Sequence, residues 1–172
     1  MGGQESKPAD ATAGLARPDF VPGKPLSVKD HILVDMLNSN DHRGVCWVIT
    51  DPEKTDNPII FSSLGFCSYT GYSKDEIEGK NCRFLQGKET DPLDVAKIRA
   101  AIAAEQEASL CLLNYRKDGT PFYNQFFLCP LRDESGKLAY FIGVQVEVGG
   151  KRPGQDAHNP GWVYTLGLRV PS

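Results

Sequence analysis

Three consecutive segments of alternating side chains constrain the fold of this chain most strongly. They are Ser109–Arg116, Pro121–Arg132 and Ala139–Val148, and short polar turns that contain glycine join them. Alternation with a period of two is typical of β-strands, and short turns join antiparallel neighbours. The sequence therefore predicts three antiparallel strands at the centre of the fold.

Both faces of this sheet are apolar. One face carries Leu110, Leu112, Phe122, Phe126, Leu128 and Phe141, and the opposite, outer face carries Cys111, Leu113, Tyr115, Tyr123, Phe127, Cys129, Ile142, Val144 and Val146. A sheet with two apolar faces must be covered on both sides. For the outer face we expect either an N-terminal helix or a second copy of the chain as the cover.

Three amide side chains interrupt the inner face. Asn114 and Asn124 stand nearly opposite each other about a turn, and Gln145 shares their face on the third strand. Buried amides need partners for both donors and acceptors. Two interpretations stay open: the amides bond one another or the backbone, or they face a planar heteroaromatic ligand that approaches the sheet at Gly143.

A second polar cluster lies in the segment Gly79–Gly87. It places the thiol of Cys82 between the amide of Asn81 and the guanidinium of Arg83, and Gln86 closes a short apolar turn. These polar groups are costly to bury unless a polar partner meets them. The other cysteines are interpreted as small buried hydrophobic residues; they are Cys46, Cys67, Cys111 and Cys129.

Short elements precede this segment. Cys46–Thr50 and Ile59–Ser62 predict two paired strands, and Leu64–Ser73 predicts a short helix that ends at Gly71. Ser73–Glu76 has the pattern of a capping box for a further helical turn. Short helical pieces beside a sheet are what a ligand pocket requires.

The longest predicted helix begins at Asp91–Pro92, with proline at the first helical position. Val95, Ile98 and Ile102 form its apolar stripe. Arg99 lies one turn after Val95 at the edge of this stripe. It serves either an anion site or a surface ion pair with a neighbouring carboxylate.

The N-terminal part divides into two segments. Residues 1–26 are rich in Gly, Ala, Pro and charge, so we expect disorder there. Met1–Ser6 fits the pattern for myristoylation of Gly2, which by itself gives only weak, reversible membrane association. Ser27 is the predicted N-cap of a cap helix within residues 27–45, whose apolar stripe is Ile32, Leu33, Met36 and Leu37.

The C-terminal segment, residues 149–172, has no helical pattern. Gly149–Gly154 breaks the preceding strand. Alternation then predicts an extra strand, on a sheet edge or on the outer face, with the apolar residues Trp162, Tyr164, Leu166, Leu168 and Val170.

Composition excludes several classes of protein. The chain has 172 residues, 40% of them hydrophobic, and a formal net charge of -3, which indicates one globular domain without a nucleic-acid-binding basic patch. It contains no apolar run of about 20 residues, the length that spans a bilayer. Its five cysteines lack metal-type or redox-type spacing. We expect a cytoplasmic protein with reduced thiols and no metal.

The segment Asn-Cys-Arg-Phe-Leu-Gln-Gly at 81–87 resembles the signature of the LOV (light, oxygen, voltage) domains of the phototropin type, which are PAS-fold flavin binders. Supporting matches are Val48–Pro52, Asn57–Phe61, Lys97–Arg99, Asn114–Gly119 and Phe141–Gln145. The resemblance covers residues 46–148. It implies an α+β PAS/LOV fold, in which a five-stranded antiparallel sheet and short helices enclose a flavin pocket, flanked by the N-terminal helix and the C-terminal extension.

The resemblance also implies a blue-light photoreceptor that binds FMN. Cys82 would form a reversible bond to ring carbon C4a, and Gln145, close to N5, would rearrange and signal. Together with Gln145, Asn114 and Asn124 would form hydrogen bonds to the edge of the ring. Asn81 and Gln86 would hold the ribityl chain, and Arg83 and Arg99 the phosphate. The lining would comprise Val48, Thr50, Asn57, Val95, Ile98, Ile102, Leu112, Phe126, Leu128, Phe141 and Gly143.

Such a domain is a sensor and not an enzyme. Its output would pass through the flanking segments, through a homodimer formed by the outer sheet face, or to an effector protein. Two alternatives stay open: a flavin-binding redox sensor or flavoenzyme in which Cys82 is only a nearby thiol, and a PAS interaction module without a cofactor.

Overall fold

The computed structural model describes residues 19–39 and 44–150. Its strands are β1 (Cys46–Thr50), β2 (Ile59–Ser62), β3 (Ala108–Tyr115), β4 (Pro121–Arg132) and β5 (Leu138–Val148). They form one antiparallel sheet in the order β2-β1-β5-β4-β3. The predicted α+β class with a five-stranded antiparallel sheet is confirmed. Gly2 and the strand predicted within residues 162–170 lie outside the described residues.

Within residues 19–39 and 44–150, four helices and one 3₁₀ turn accompany this sheet. They are α1 (Val28–Asn38), α2 (Leu64–Thr70), α3 (Lys74–Ile77), the 3₁₀ turn Cys82–Leu85 and α4 (Pro92–Ala103). The side chain of Asp91 caps α4 by accepting a hydrogen bond of 2.9 Å from the backbone N–H of Leu93. Gly71 ends α2 at φ 80°, a left-handed conformation that glycine adopts without strain. Both boundaries agree with the sequence prediction.

Helix α1 buries two residues of its predicted apolar stripe, Leu33 and Leu37, but it exposes a third, Ile32. Leu33, Val34 and Leu37 are buried, whereas Ile32 is 54% exposed. A polar contact explains this orientation of the helix: the buried carboxylate of Asp30 accepts a hydrogen bond of 2.7 Å from the backbone N–H of Arg132. This bond rotates the helix so that positions 30, 33, 34 and 37 face the sheet. The predicted stripe was therefore wrong for Ile32.

The segment before α1 also packs on the sheet, although we expected residues up to 26 to be disordered. Phe20 is 7% exposed, and its ring lies 5.5 Å from the rings of both Phe61 and Tyr140. The hydroxyl of Tyr140 accepts hydrogen bonds from the backbone N–H groups of Gly23 and Lys24, at 3.1 and 3.0 Å. A single aromatic residue among prolines and glycines gives no periodic signal, so the sequence did not reveal this contact.

Helix α1 and Phe20 together cover much of the outer sheet face. The buried cluster there comprises Phe20, Leu33, Val34, Leu37, Trp47, Ile49, Phe61, Phe127, Cys129, Leu131, Ala139, Tyr140, Ile142 and Val144. Toward the other end of this face, Tyr123 is 36% exposed, and Leu113 and Val146 are partly exposed. The helix is thus a cover for the outer face, and a second copy over the remainder stays a prediction.

Truncation of Leu37 should destabilise the protein much more than truncation of Ile32 on the same helix. Leu37 is fully buried, so Leu37→Ala should lower the free energy of unfolding by about 2–5 kcal/mol. Ile32→Ala should lower it by less than about 1 kcal/mol, because this side chain is mostly exposed. Urea denaturation of both variants measures the difference. Equal losses would contradict the observed orientation of α1.

Candidate functional site

A cavity of about 710 Å³, a volume that includes its mouth, lies between the inner sheet face and the short helices. Strands β1, β3, β4 and β5 contribute to its wall, together with α2, α4, the β1–β2 loop and the 3₁₀ turn. Its lining combines apolar side chains with a few polar ones, as in small-molecule and cofactor sites. The lining residues are Val48, Thr50, Asn57, Phe66, Asn81, Cys82, Arg83, Leu85, Gln86, Ile98, Ile102, Leu112, Asn114, Asn124, Phe126, Leu128, Gly143 and Gln145.

All but three of the site residues expected from the sequence line this cavity. Val95 is partly exposed on α4, two turns before Ile102. Arg99 is exposed, and its side chain makes no ion pair or hydrogen bond with a described residue. Phe141 is fully buried and packs in one cluster with the lining residues Phe126 and Leu128, but it does not line the cavity itself.

Two lining residues, Phe66 and Leu85, were not among those expected. Leu85 lies three residues after Cys82 in the 3₁₀ turn, a spacing that places two side chains on the same side of such a turn. That spacing could have identified Leu85 as a lining residue from the sequence. Phe66 is 1% exposed on α2, and the helix of seven residues is too short for its periodicity to indicate which face is buried.

The 3₁₀ turn positions Cys82 on the wall. Asn81 caps this turn, since its side-chain oxygen accepts a hydrogen bond of 3.0 Å from the backbone N–H of Arg83. Burial raises the pKa of the Cys82 thiol to about 12. The residue is therefore a neutral S–H at neutral pH, unlike nucleophilic cysteines, whose pKa values are lowered by nearby cations or helix termini.

An exposed cation stands at the mouth of the cavity. Arg83 donates two hydrogen bonds, of 2.5 and 2.6 Å, to the carboxylate of Asp56, and it lowers the pKa of that carboxyl. Asn81 donates from Nδ2 to the backbone oxygen of Asp56 at 2.7 Å. Asp56 and Asn57 have φ values of 68° and 46°, so the β1–β2 loop turns back toward the 3₁₀ turn through two left-handed residues.

The amides on the sheet are only partly satisfied by one another. Asn124 donates from Nδ2 to Oδ1 of Asn114 at 2.9 Å, which confirms that the two amides are neighbours. Among the described residues, however, Oδ1 of Asn124 has no hydrogen-bond partner, and the same holds for Oγ1 of Thr50 and Oδ1 of Asn57. Buried acceptors without a donor are costly. A ligand that brings donors into the cavity would relieve that cost.

Gln145 completes the polar part of the wall. Its side chain is 4% exposed, and its Oε1 lies 3.5 Å from Sγ of Cys46 on the neighbouring strand. Beside it, a Cβ added to Gly143 would come within 2.8 Å of the Phe126 ring. A side chain at position 143 would therefore displace the ring that forms part of the wall.

Comparisons with known proteins agree with this arrangement. The PAS domain family matches residues 45–149. Phototropin-2 of Oryza sativa subsp. japonica is 54% identical over 114 residues, which are 66% of this chain and 13% of that protein. A blue-light photoreceptor of Listeria monocytogenes is 52% identical over 101 residues, 59% of this chain and 40% of that protein. The chain thus spans less than half the length of these relatives.

Solved structures resemble the fold as well. The light-state structure of the blue-light photoreceptor Aureochrome1 LOV has a TM-score of 0.60 at 55% identity and covers 60% of this chain and 81% of that one. The dark structure of the same photoreceptor has a TM-score of 0.62 at 47% identity, with 78% and 88% covered. The chain belongs to the PAS domain family and, within it, to the LOV domains of the phototropin type.

LOV domains hold a flavin chromophore, and the wall of this cavity fits one. The unpartnered oxygens of Thr50, Asn57 and Asn124 can accept hydrogen bonds from a ring that carries N–H and ribityl O–H groups. The apolar side chains of the lining match the apolar part of such a ring.

No helix within the described residues is long and apolar enough to cross a membrane.

The thiol of Cys82 should stay protonated well above the pH at which an ordinary cysteine ionises. An unperturbed cysteine has a pKa of about 8.5, so it is mostly thiolate at about pH 10. Because burial raises the pKa of Cys82 to about 12, its infrared S–H stretching band should persist at that pH. Loss of the band in Cys82→Ala identifies it. A band that disappears with a midpoint near pH 8.5 would contradict the burial of this thiol.

Proposed function

We propose that this domain senses blue light by means of a noncovalently bound FMN and a reversible bond between the flavin and Cys82. One observation carries the proposal: a neutral thiol, on a 3₁₀ turn, lines the same cavity as three buried amides. The names of its relatives, among them phototropins and bacterial blue-light photoreceptors, support the same function.

Two groups of polar lining residues would bind the two ends of the cofactor, one group at the sheet and one near the mouth of the cavity. Asn114, Asn124 and Gln145 would bond the edge of the flavin ring at the sheet. Asn81 and Gln86 would hold the ribityl chain near the mouth. The phosphate would meet Arg83, whose planar group already binds a carboxylate through two N–H groups and suits phosphate oxygens equally well.

Arg99 is the second expected phosphate ligand. It is exposed on α4, one residue from the lining residue Ile98, and it makes no ion pair with a described residue. Its charge is therefore not neutralised by a neighbouring carboxylate among these residues.

The bound flavin would supply absorption of blue light and an electrophilic ring carbon, C4a. The Cys82 sulfur would bond to C4a, and the thiol proton would move to N5, so that S–H adds across one double bond without an outside oxidant or reductant. Because Cys82 is a thiol and not a thiolate, it brings the proton that this addition needs. In the dark the S–C bond would break and the proton would return to the sulfur of Cys82.

The signal would leave the cavity through Gln145. The amide of Gln145 would present its nitrogen to an unprotonated N5 and its oxygen to a protonated one, because protonation would turn that ring atom from a hydrogen-bond acceptor into a donor. Gln145 lies on β5, and the adjacent Val144 packs in the cluster that contains α1 on the outer face. A change at Gln145 can thus alter the packing of α1, the formation of a homodimer through the outer face or the binding of an effector protein.

Absorption spectra of the purified protein in the dark, after a blue flash and during recovery test this function. The visible flavin band should bleach and return in the wild type, and Cys82→Ala should keep the band but not bleach. Cys111→Ala, which changes a cysteine on the outer face, is the control and should bleach normally. A flavin band indifferent to light would indicate a redox role. A colourless protein would indicate a PAS interaction module.

Removal of the charge of Arg99 should weaken FMN binding about tenfold, because a hydrogen bond to a charged group is lost. Riboflavin, which lacks the phosphate, should bind Arg99→Gln and the wild type equally. Arg132→Gln is the control, since Arg132 pairs with Glu105 and does not line the cavity. Titration with FMN and with riboflavin, followed by fluorescence, measures the affinities of the wild type, Arg99→Gln and Arg132→Gln. Equal weakening for FMN and riboflavin would exclude Arg99 as a phosphate ligand.

A further inference from the structure

The segment that carries Cys82 is attached to both edges of the sheet. Residues 78–90, called the bridging segment below, connect α3 to α4 and contain the 3₁₀ turn. Strands β2 and β3 are the two edge strands, so each has a row of backbone groups without a neighbouring strand. The bridging segment meets β2 at its first residues and β3 at its last. Between these two ends, five of its residues line the cavity: Asn81, Cys82, Arg83, Leu85 and Gln86.

The backbone attaches the first end of the bridging segment to β2. The N–H of Ile59 donates to the carbonyl oxygen of Lys80 at 2.8 Å, and the N–H of Gly79 donates to the carbonyl oxygen of Ile59 at 2.7 Å. The carboxylate of Glu78 also accepts hydrogen bonds from the N–H and the hydroxyl of Ser62, at 3.0 and 3.1 Å. This end therefore continues the hydrogen-bonding pattern of the sheet.

Two side-chain hydroxyls attach the other end to β3. The buried hydroxyl of Thr90 donates to the carbonyl oxygen of Leu113 at 2.7 Å and accepts from the N–H of Gly87 at 2.9 Å. The hydroxyl of Tyr115 accepts from the N–H of Glu89 at 3.1 Å. Within the described part of the chain, no backbone–backbone hydrogen bond joins this end to β3. We call this attachment the β3 anchor.

The β3 anchor also determines where Gln86 lies. A Cβ added to Gly87 would come within 2.3 Å of Cε2 of Tyr115, so only glycine lets the backbone lie directly against this ring. Gln86 immediately precedes Gly87, and its side chain lines the cavity. Movement of the anchor away from β3 would therefore move a lining residue and open the cavity on that side.

We propose that Thr90 and Tyr115 are positioning residues that hold the bridging segment over the cavity and thereby set the rates at which the flavin enters and leaves. A cofactor between this segment and the sheet is enclosed from both sides, so its exchange requires one end of the segment to move. The β3 end moves more easily, because a few side-chain hydrogen bonds of small net strength hold it. This inference rests on the proposed binding of FMN, but it does not depend on the light reaction.

Hydrogen exchange of the full chain, followed by NMR, tests the anchor without any photochemistry. Thr90→Val keeps the shape of the side chain but loses two hydrogen bonds, so the N–H of Glu89 should exchange about five- to a hundredfold faster. Thr90→Ser keeps the hydroxyl and should restore slow exchange. Thr70→Val is the matched control, because it removes another buried hydroxyl, which donates to the carbonyl oxygen of Phe66 within α2. Unchanged exchange at Glu89 in Thr90→Val, or equal acceleration in Thr70→Val, would overturn the anchor.

Flavin association and dissociation rates, measured by stopped-flow fluorescence with FMN and the full chain, test control of the cofactor. Opening of the segment precedes both entry and exit, so both rates should rise by the same factor and the affinity should stay unchanged. Tyr115→Phe loses one hydrogen bond and should accelerate both rates about two- to tenfold. Tyr123→Phe is the control, since Tyr123 is a partly exposed tyrosine of β4 outside the cavity lining, and it should keep the rates of the wild type.

The two rates distinguish control of exchange from a merely structural role. Faster dissociation with unchanged association would show a lost contact to the flavin or a general loss of stability, and it would overturn the proposal. Unchanged rates in both Thr90→Val and Tyr115→Phe would overturn it as well. A chain that binds no flavin would contradict the proposed function together with this inference. A chain that binds FMN with the expected rates but does not bleach would contradict the light reaction alone and support the role of the β3 anchor.

Discussion

Burial of amide side chains on an otherwise apolar sheet face is the constraint on which the rest of this structure depends. Asn114, Asn124 and Gln145 are each at most 4% exposed, yet the protein supplies partners for only some of their polar atoms. Leaving such acceptors unpaired costs stability, and natural domains accept that cost mainly at functional sites. The short helices, the 3₁₀ turn and the β1–β2 loop then enclose the space that a flavin would fill, and they place Cys82 on the opposite wall.

The same sheet connects this cavity to the outer surface. Because side chains alternate along a strand, Gln145 faces the cavity while Val144 packs in the cluster that contains α1. Cys46 and Trp47 repeat this relation on the neighbouring strand, one beside Gln145 and the other in the outer cluster. A change of hydrogen bonding at the inner face therefore lies one peptide unit from the contacts that hold α1.

Local patterns in the sequence sufficed for the elements with clear periodicity or capping residues. The bounds of β1, β2 and β4, the capping box at Ser73 and the end of α2 at Gly71 agree with the prediction. Contacts between distant segments were not predictable in this way. Asp30 orients α1 through a backbone group of β4 more than 100 residues later, and Phe20 packs on rings from two other elements. The hydrogen bond between Cys46 and Gln145 depends on the β1–β5 register, which periodicity does not determine.

The most direct test of this account is a pair of crystal structures of the protein, one collected in the dark and one after illumination with blue light. A flavin should lie in the cavity of both structures, separate from Cys82 in the dark and joined to its sulfur by continuous electron density after illumination. The amide of Gln145 should have exchanged its two ends between them. A separate thiol in illuminated crystals whose visible band has bleached would contradict the account.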